Sequence, residues 1–130
     1  MSDTRLSNYK QELGRKGEEI ALEYLTKLGY KLITRNYSCP KIGEIDIIMK
    51  DGKYLVFVEV RTKSNVNFGT PLETIDFAKR RQIEKMARIY MGKNKISPDT
   101  FCRFDLVGIV LENDEKAKIE YCKDAFIRGD

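Results

Sequence analysis

The stretch Gly43–Lys63, GEIDIIMKDGKYLVFVEVRTK, predicts two β-strands joined by a tight turn, and acidic residues interrupt both of its apolar runs. Asp51-Gly52 in the middle is a strong signal for a hairpin turn. Glu44 and Asp46 lie within the first run, and Glu59 lies within the second. Because a partly buried carboxylate loses hydration, it needs a compensating cation or hydrogen-bond donor. The hairpin is therefore the first place to look for a functional site.

The spacing of the hairpin predicts which acids face each other. With Asp51-Gly52 as a two-residue loop, Glu44 is expected opposite Glu59, and Asp46 opposite Phe57. Side chains alternate along a strand, so these acids share one face. Asp46 and Glu59 are then diagonal neighbours, about 7–8 Å apart at the backbone. The opposite face is uniformly apolar and comprises Ile45, Ile47, Met49, Val56, Val58 and Val60.

Two interpretations of these acids remain open. A hard divalent cation such as Mg²⁺ or Mn²⁺ binds oxygen ligands, and Mg²⁺ commonly uses few carboxylates and keeps several waters. Asp46 and Glu59 are the expected ligands of such an ion. Alternatively, Glu44 and Glu59 form an ion-pair network with Arg61 and Lys63 on a solvated sheet face. Spacing alone favours neither interpretation.

A fourth acid comes from the first predicted helix. Residues 13–28 have the apolar spacing of an amphipathic helix, and Gly29 supplies a C-terminal stop. The apolar stripe is expected to centre near Gly17, Tyr24 and Leu28. Glu18 falls at the margin of this stripe and can extend over the sheet edge, whereas Glu19 points into solvent.

The remaining pattern predicts an α/β fold. We expect strands at 30–38, 101–111 and 118–122, a polar loop at 62–70, a turn at 113–115, and a second helix that begins at Thr70-Pro71-Leu72-Glu73 and ends near Met91–Gly92. The element order is αβββαββ. A central mixed β-sheet of about five strands, flanked by helices in a single domain over residues 1–130, is the expected architecture.

The second predicted helix has a lysine on its apolar side. Lys79 lies near the centre of the stripe formed by Leu72, Ile75, Ile83, Met86 and Tyr90. A lysine at such a position usually extends its ammonium group to the surface. The alternative is that Lys79 extends across the sheet to the carboxylates or to a phosphate. Arg80 and Arg81 lie off the stripe and are expected at the surface.

Charge and composition narrow the class of protein. The chain has 130 residues, 42% of them apolar, and a net charge of +4. Residues 61–95 contain nine Lys or Arg and three acids, a net +6 that leaves −2 elsewhere. Such a local excess suits a polyanion such as nucleic acid, although a solvated helix face explains it equally well. No apolar run approaches the roughly 18 residues that span a bilayer, and a cytoplasmic, non-membrane protein is expected.

Two smaller predictions concern buried polar and sulfur groups. Cys39, Cys102 and Cys122 are widely spaced, and the chain has no histidine, which argues against a zinc site and for reduced cysteines in the core or at its edge. Asp105, within the apolar run FDLVGIV, is expected to pair with an arginine such as Arg103.

The motifs also resemble a known family. The blocks RKGEEIALEYLTKLGY, GEIDIIMKDGKYLVFVEVRTKS, FGTPLET and CRFDLV resemble the YraN-type bacterial family, which is considered related to archaeal Holliday-junction resolvases. A helix-one acid followed by Asp46 and Glu59-Val60-Arg61 is similar to the restriction-endonuclease-like PD-(D/E)XK superfamily. The resemblance covers about residues 10–122 and implies a restriction-endonuclease-like fold.

The resemblance implies a metal site and a reaction. Asp46 and Glu59 would bind Mg²⁺ or Mn²⁺ with the backbone carbonyl of Val60, and Glu18 would assist as an additional or indirect ligand. The implied activity is hydrolysis of phosphodiester bonds in DNA, including branched or structured DNA, by a metal-dependent endonuclease. A homodimer is plausible because cutting both strands of a symmetric junction requires two sites related by a two-fold axis.

The motif departs from the superfamily pattern at two positions. Ile45 replaces the nominal proline, and Arg61 replaces the motif lysine. Arginine stays protonated and cannot serve as a general base, although it can bind a phosphate. Lys63 or Lys79 could supply the missing ammonium group. The expected DNA contacts are Arg61, Lys63, Lys79, Arg80 and Arg81. The alternative function is a nucleic-acid-binding or scaffold protein that keeps the nuclease fold without hydrolysis.

Overall fold

The computed structural model describes residues 2–64, 75–113 and 116–125. In chain order its elements are α1 (Ser2–Lys27), β1 (Lys31–Cys39), β2 (Gly43–Asp51), β3 (Tyr54–Lys63), α2 (Phe77–Lys93), β4 (Cys102–Asn113) and β5 (Lys116–Cys122). The five strands form one sheet in the order β1-β2-β3-β4-β5. β3 and β4 are parallel, and the other neighbours are antiparallel. The predicted α/β class, element order and mixed five-stranded sheet are confirmed.

The β2–β3 hairpin turns one residue later than the sequence predicts. Its loop is Gly52-Lys53 rather than Asp51-Gly52, and Phe57 therefore pairs with Ile48 instead of with Asp46. The first loop residue has a φ of 58°, and a two-residue type II′ turn requires glycine at this first position. The change moves the register by two residues, so odd and even positions of the two strands pair as predicted wherever β2 and β3 are paired.

Each face of the sheet packs against one helix. The face toward α2 contains Ile45, Ile48, Leu55, Phe57 and Phe104, which pack against Ile83, Met86 and Tyr90. The face toward α1 contains Ile47, Met49, Val56, Val58 and Val107, which pack against Ala21 and Leu25. Ile45 was predicted to share a face with Ile47 and Met49, and that prediction is wrong. The alternation of β2 breaks at Asp46, next to the point where its pairing with β3 ends.

Helix α1 is longer than predicted at its N-terminus. It begins at Ser2 rather than at residue 13, and residues 7–12 are exposed. Lys10, Gln11 and Glu12 have good helix propensity and continue the helix beyond the part that packs on the sheet. Leu28 is 50% exposed, so the predicted centre of the apolar stripe is wrong there. The helix ends at Lys27, and Gly29 turns the chain with a φ of 100°.

The contact between α1 and β3 depends on Gly17. A Cβ atom at this position would overlap the side chain of Thr62. The missing side chain therefore lets the helix lie directly against the end of β3. This close approach brings the next residue, Glu18, toward the acidic residues of the hairpin.

Helix α2 begins later than predicted. Asp76 is its N-cap, and its Oδ1 accepts a hydrogen bond from the Lys79 N–H at 2.8 Å. Residues 75 and 76 are not helical, so the predicted helix is wrong at these positions. The predicted start at Thr70–Glu73 and most of the predicted 62–70 loop lie outside the described residues. The helix extends to Lys93, and Ile83, Met86 and Tyr90 are buried as predicted.

The other strands lie within two residues of their predicted bounds. Pairing between β1 and β2 shifts by one residue between Leu32 and Thr34, which leaves Ile33 as the extra residue of a bulge. In the described parts of the chain, neither helix has the length and apolar character that crossing a bilayer requires.

Candidate functional site

The candidate site lies where β2 and β3 diverge. Their ladder ends at the pair Ile47–Val58. Beyond it, the Val60 N–H donates a hydrogen bond to Asp46 Oδ2 at 2.8 Å. One further step along the register places Asp46 opposite Glu59, and the two side chains are hydrogen-bonded to each other. The acids are thus closer than the predicted diagonal, and the predicted opposition of Glu44 and Glu59 is wrong because the turn is displaced.

Simultaneous ionisation of Asp46 and Glu59 is unfavourable, because the two carboxyl groups are close together and shielded from water. Burial, followed by repulsion from Glu59, raises the pKa of Asp46 from its ordinary 3.8 to about 9. The hydrogen bond from Val60 opposes this rise, and Glu18 adds a smaller increase by repulsion. Glu59 itself is only 5% exposed. Two carboxyl groups at this separation require a shared proton or a cation between them.

Two cationic side chains lie close to Glu59 and partly compensate the negative charge of the acid pair. Arg61 Nη2 lies 3.3 Å from Glu59 Oε2, and Lys79 Nζ lies 3.4 Å from the same oxygen. Lys79 therefore extends across the sheet to the carboxylates, as one of the two sequence interpretations proposed. Arg61 Nε is shielded from solvent and has no hydrogen-bond partner within the described structure. The two cations fix the orientation of Glu59 and leave a guanidine donor for another acceptor.

Glu18 reaches the site through an asparagine that the sequence analysis missed. Asn36 Nδ2 donates to Glu18 Oε1 and to Glu44 Oε1, each at 2.9 Å. Asn36 lies in β1 with a φ of 50°, a left-handed conformation that asparagine tolerates better than most residues. The strand pattern around Asn36 gives no sign of this conformation or of its contact with α1. Glu19 is directed away as predicted and pairs with Arg35 at 2.6 Å.

The other residues predicted to contact DNA are Lys63, at the end of β3, and Arg80 and Arg81, in the first turns of α2. Lys63 and Arg61 line a cavity of about 530 Å³ together with Glu18. Arg80 is half-buried and Arg81 is exposed, and the Arg81 guanidinium lies 5.6 Å from the centre of the Phe77 ring. Their predicted role in binding DNA remains a prediction.

The donor set is compatible with a divalent cation held by few protein ligands. Among residues 2–64, 75–113 and 116–125, no three Asp, Glu or Cys side chains converge tightly enough to enclose a metal ion. The close pair of Asp46 and Glu59 nevertheless offers only oxygen donors, and its repulsion would be relieved by positive charge. This is the arrangement that Mg²⁺ accepts when waters complete its coordination. The ligand roles of Val60 and Glu18 remain predictions.

A second buried acid, Asp105, belongs to a separate network. Arg103 donates to it from Nε at 2.9 Å and from Nη2 at 3.0 Å, and the Tyr121 hydroxyl and the Asp124 N–H donate as well. The predicted pairing with Arg103 is confirmed. Asp105 is 1% exposed, and its oxygens are occupied by partners from β4, β5 and the segment after β5.

Comparison with other proteins gives a consistent family assignment. A profile described as "Uncharacterised protein family UPF0102" matches residues 17–109. A UPF0102 protein of Clostridium kluyveri is 39% identical over 122 residues, which cover 93% of this chain and 98% of the relative. One from Legionella pneumophila is 44% identical over 119 residues, with 92% and 98% covered. The profile match contains α1 from Gly17 onward, Asn36, the hairpin and α2, and the chain belongs to the UPF0102 family.

Proposed function

We propose that the protein is a divalent-metal-dependent nuclease that hydrolyses phosphodiester bonds in DNA. The observation that supports this most directly is the pair of Asp46 and Glu59 at the diverging end of the central strands, with Lys79 and Arg61 on one side and Glu18 beyond it. Oxygen ligands beside fixed cations are the parts that phosphoryl transfer requires, since its catalysis is mainly positioning and charge stabilisation.

Each side chain has a role that follows from its contacts. Asp46 and Glu59 would hold Mg²⁺, which polarises a phosphoryl oxygen and lowers the pKa of water when it is bound. The Val60 N–H fixes the orientation of Asp46. Lys79 and Arg61 fix Glu59 and place positive charge where a phosphate would lie. Arg61 binds and stabilises charge but cannot remove a proton, because it stays protonated.

The test is cleavage of a panel of linear, flapped and four-way DNA substrates with Mg²⁺ or Mn²⁺. We expect cleavage by the wild type and a loss of about 100-fold or more in Asp46→Ala and Glu59→Gln, since even indirect ligands contribute about 10–100-fold in metal sites. Arg88→Ser, which changes an exposed residue of α2 outside the acid pair, is the control. An Asp46→Ala variant that cleaves at the wild-type rate would refute the proposal.

The alternative is DNA binding without hydrolysis, and the specific observation in its favour is Arg61 in place of the motif lysine. Thermal unfolding with and without Mg²⁺ distinguishes the two functions before any substrate is known. An ion that binds only the folded protein raises its Tm. We expect a concentration-dependent rise that disappears in Glu59→Gln. No rise in the wild type would favour the binding function.

A further inference from the structure

Three adjoining cavities lie along helix α1, and Glu18 lines all of them. The first, of about 700 Å³, also contains Arg15 and Arg35. The second, of about 530 Å³, contains Lys10, Arg61 and Lys63. The third, of about 430 Å³, lies between α1 and Asn36. We call these three cavities, which share Glu18, the α1 groove.

The α1 groove is basic at both ends. Six Lys or Arg residues line it against two acids: Lys10, Arg15, Lys16, Arg35, Arg61 and Lys63 against Glu18 and Glu19. Four of the six lie on α1 and β1, outside the positively charged segment 61–95. The charge that could attract a polyanion is therefore distributed along the groove on both sides of Glu18, and Arg61 connects the groove to the acid pair through its contact with Glu59.

Each end of the groove also has a guanidine donor without an acceptor. The Nε atoms of Arg35 and Arg61 are both shielded from solvent, and neither has a hydrogen-bond partner in the described part of the chain. Buried N–H groups are normally paired. Phosphate oxygens are favoured acceptors for guanidinium groups because the fork of donors matches their geometry.

An aromatic ring completes the groove. Tyr9 lines the same cavity as Lys10 and Lys63 and is 53% exposed. Exposed aromatic rings beside a basic track are typical of sites for unpaired strands, because an unpaired base stacks on the ring while the phosphates contact the cations. A base in a duplex already stacks on its neighbours and is not available to Tyr9 without being extruded.

We propose that the α1 groove binds one unpaired DNA strand, which crosses Glu18 with phosphates at both basic ends and a base on Tyr9. This inference rests on the proposed function for the identity of the polyanion and names the form of DNA that the site accepts. It adds Tyr9, Lys10, Arg15 and Arg35 to the substrate-binding surface.

The test measures binding in the absence of cleavage. Fluorescence anisotropy with a labelled oligothymidine is carried out on the full chain in EDTA, with a duplex of the same length as the comparison. We expect Lys10→Ser/Lys63→Ser to raise the Kd at least about 10-fold and to reduce the slope of log Kd against log salt concentration by about 0.7 for each phosphate that the variant no longer neutralises. Tyr9→Ser should raise the Kd for the single strand by at least about 5-fold, because a base stack contributes about 1–3 kcal/mol.

The matched control is Lys27→Ser/Lys118→Ser, which removes the same charge from exposed residues outside the groove. Its Kd should change by less than about two-fold. Circular dichroism and Tm confirm that each variant is folded. The inference is overturned if the groove variant binds like the control, if the duplex binds as tightly as the single strand, or if Tyr9→Ser has no effect.

These outcomes separate the groove from the proposed function. Wild-type protein that binds the strand through the groove but never cleaves it with Mg²⁺ would refute hydrolysis and leave the groove intact. Cleavage that depends on Asp46 but not on the groove residues, with normal binding by the groove variants, would refute the groove alone.

Discussion

Asp46 binds its proton more tightly in the folded protein than in the unfolded chain, because burial and Glu59 raise its pKa to about 9. The stability that this proton contributes is fully present below pH 3.8 and is lost as the pH rises toward 9. We therefore expect Asp46→Asn, whose amide replaces the shared proton, to raise the Tm of the metal-free protein near pH 8. About 1 kcal/mol corresponds to roughly 3–6 °C in a domain of this size.

Thermal unfolding in EDTA at about pH 5 and about pH 8 checks this prediction. The difference between Asp46→Asn and the wild type should be larger at the higher pH, whereas the exposed acid variant Asp99→Asn should show no such trend. A lower Tm for Asp46→Asn at pH 8 would contradict the proposed protonation.

Asn36 provides a second prediction at the residue scale, because its amide bridges Glu18 and Glu44. Asn36→Asp would place three carboxylates in contact and remove the donor. We expect the free energy of unfolding to fall by about 0.5–1 kcal/mol near pH 7 at low salt, because water and salt screen the repulsion between charges at an exposed site. Asn36→Gly keeps the positive φ without adding charge and is the control. Urea unfolding measures both, and an equal loss at acidic and neutral pH would contradict the charge effect.

The residue scale also shows what the sequence could and could not predict. The closeness of Asp46 and Glu59 was predictable, because a two-residue change in register changes a diagonal pair into an opposite pair. The position of Asn36 was not predictable, since it depends on a left-handed residue within β1 and on how closely α1 approaches it. Lys79 could be placed on the apolar side of its helix, but only the packing of α2 on the sheet decides that it reaches Glu59.

At the scale of the elements, alanine substitutions of two glycines of α1 are expected to change stability in opposite directions. Gly17 lies against Thr62, whereas a Cβ at Gly14 would meet nothing within 4 Å. Gly14→Ala should therefore stabilise the protein by about 0.5–1 kcal/mol through helix propensity. Gly17→Ala should destabilise it by about 1–3 kcal/mol, since the helix must move away from β3.

Chemical denaturation of the two variants, one helical turn apart, gives a direct comparison. Because Gly17→Ala also displaces Glu18, it should weaken any Mg²⁺-dependent rise in Tm, whereas Gly14→Ala should not. Equal effects on stability would show that α1 does not rest on β3 through Gly17.

The helix starts illustrate why element boundaries were harder to predict than element types. Thr70-Pro71 and Asp76 are both good N-terminal signals, and the structure uses Asp76, whose carboxylate caps the Lys79 N–H. Two competing caps within one segment cannot be ranked locally, because the choice depends on where α2 meets Ile48 and Phe57. For α1, the exposed residues 7–12 have no apolar packing pattern that would reveal the helix.

At the scale of the whole molecule, the Asp105 network joins the end of β2 to β4, to β5 and to the segment after β5. Arg103, which binds Asp105, also donates from Nη1 to Asp51 Oδ2 at 2.8 Å. The Asp124 N–H donates to Asp105 and so joins the segment after β5 to this network. Removing one partner of a buried pair leaves the other charge uncompensated, so we expect Asp105→Ala to destabilise the protein by about 3–5 kcal/mol. Asp51→Ala, which removes the partly exposed acid of the network, should lower the free energy of unfolding by less than about 1.5 kcal/mol.

Urea unfolding of both variants measures the difference. The isosteric variant Asp105→Asn, which keeps one acceptor, should fall between them. A loss below about 1 kcal/mol in Asp105→Ala would show that the network does not hold β5 and the segment after it against the sheet. The sequence predicted the Arg103 pairing but not the contributions of Tyr121 and Asp124, which depend on the return of the chain after β5.

The strand order leaves β1 and β5 as outer strands, and among the described residues each has one backbone edge without a neighbouring strand. β5 carries Lys116 and Lys118, and charged residues of this kind discourage intermolecular strand addition. β1 instead has two apolar residues, Leu32 and Ile33, that are 44% and 43% exposed. The extra residue at Ile33 bends this edge and interrupts its regular hydrogen-bonding pattern. The bulge therefore makes the exposed apolar edge of β1 a poor template for pairing with a strand of a second chain, which is the first step of cross-β aggregation.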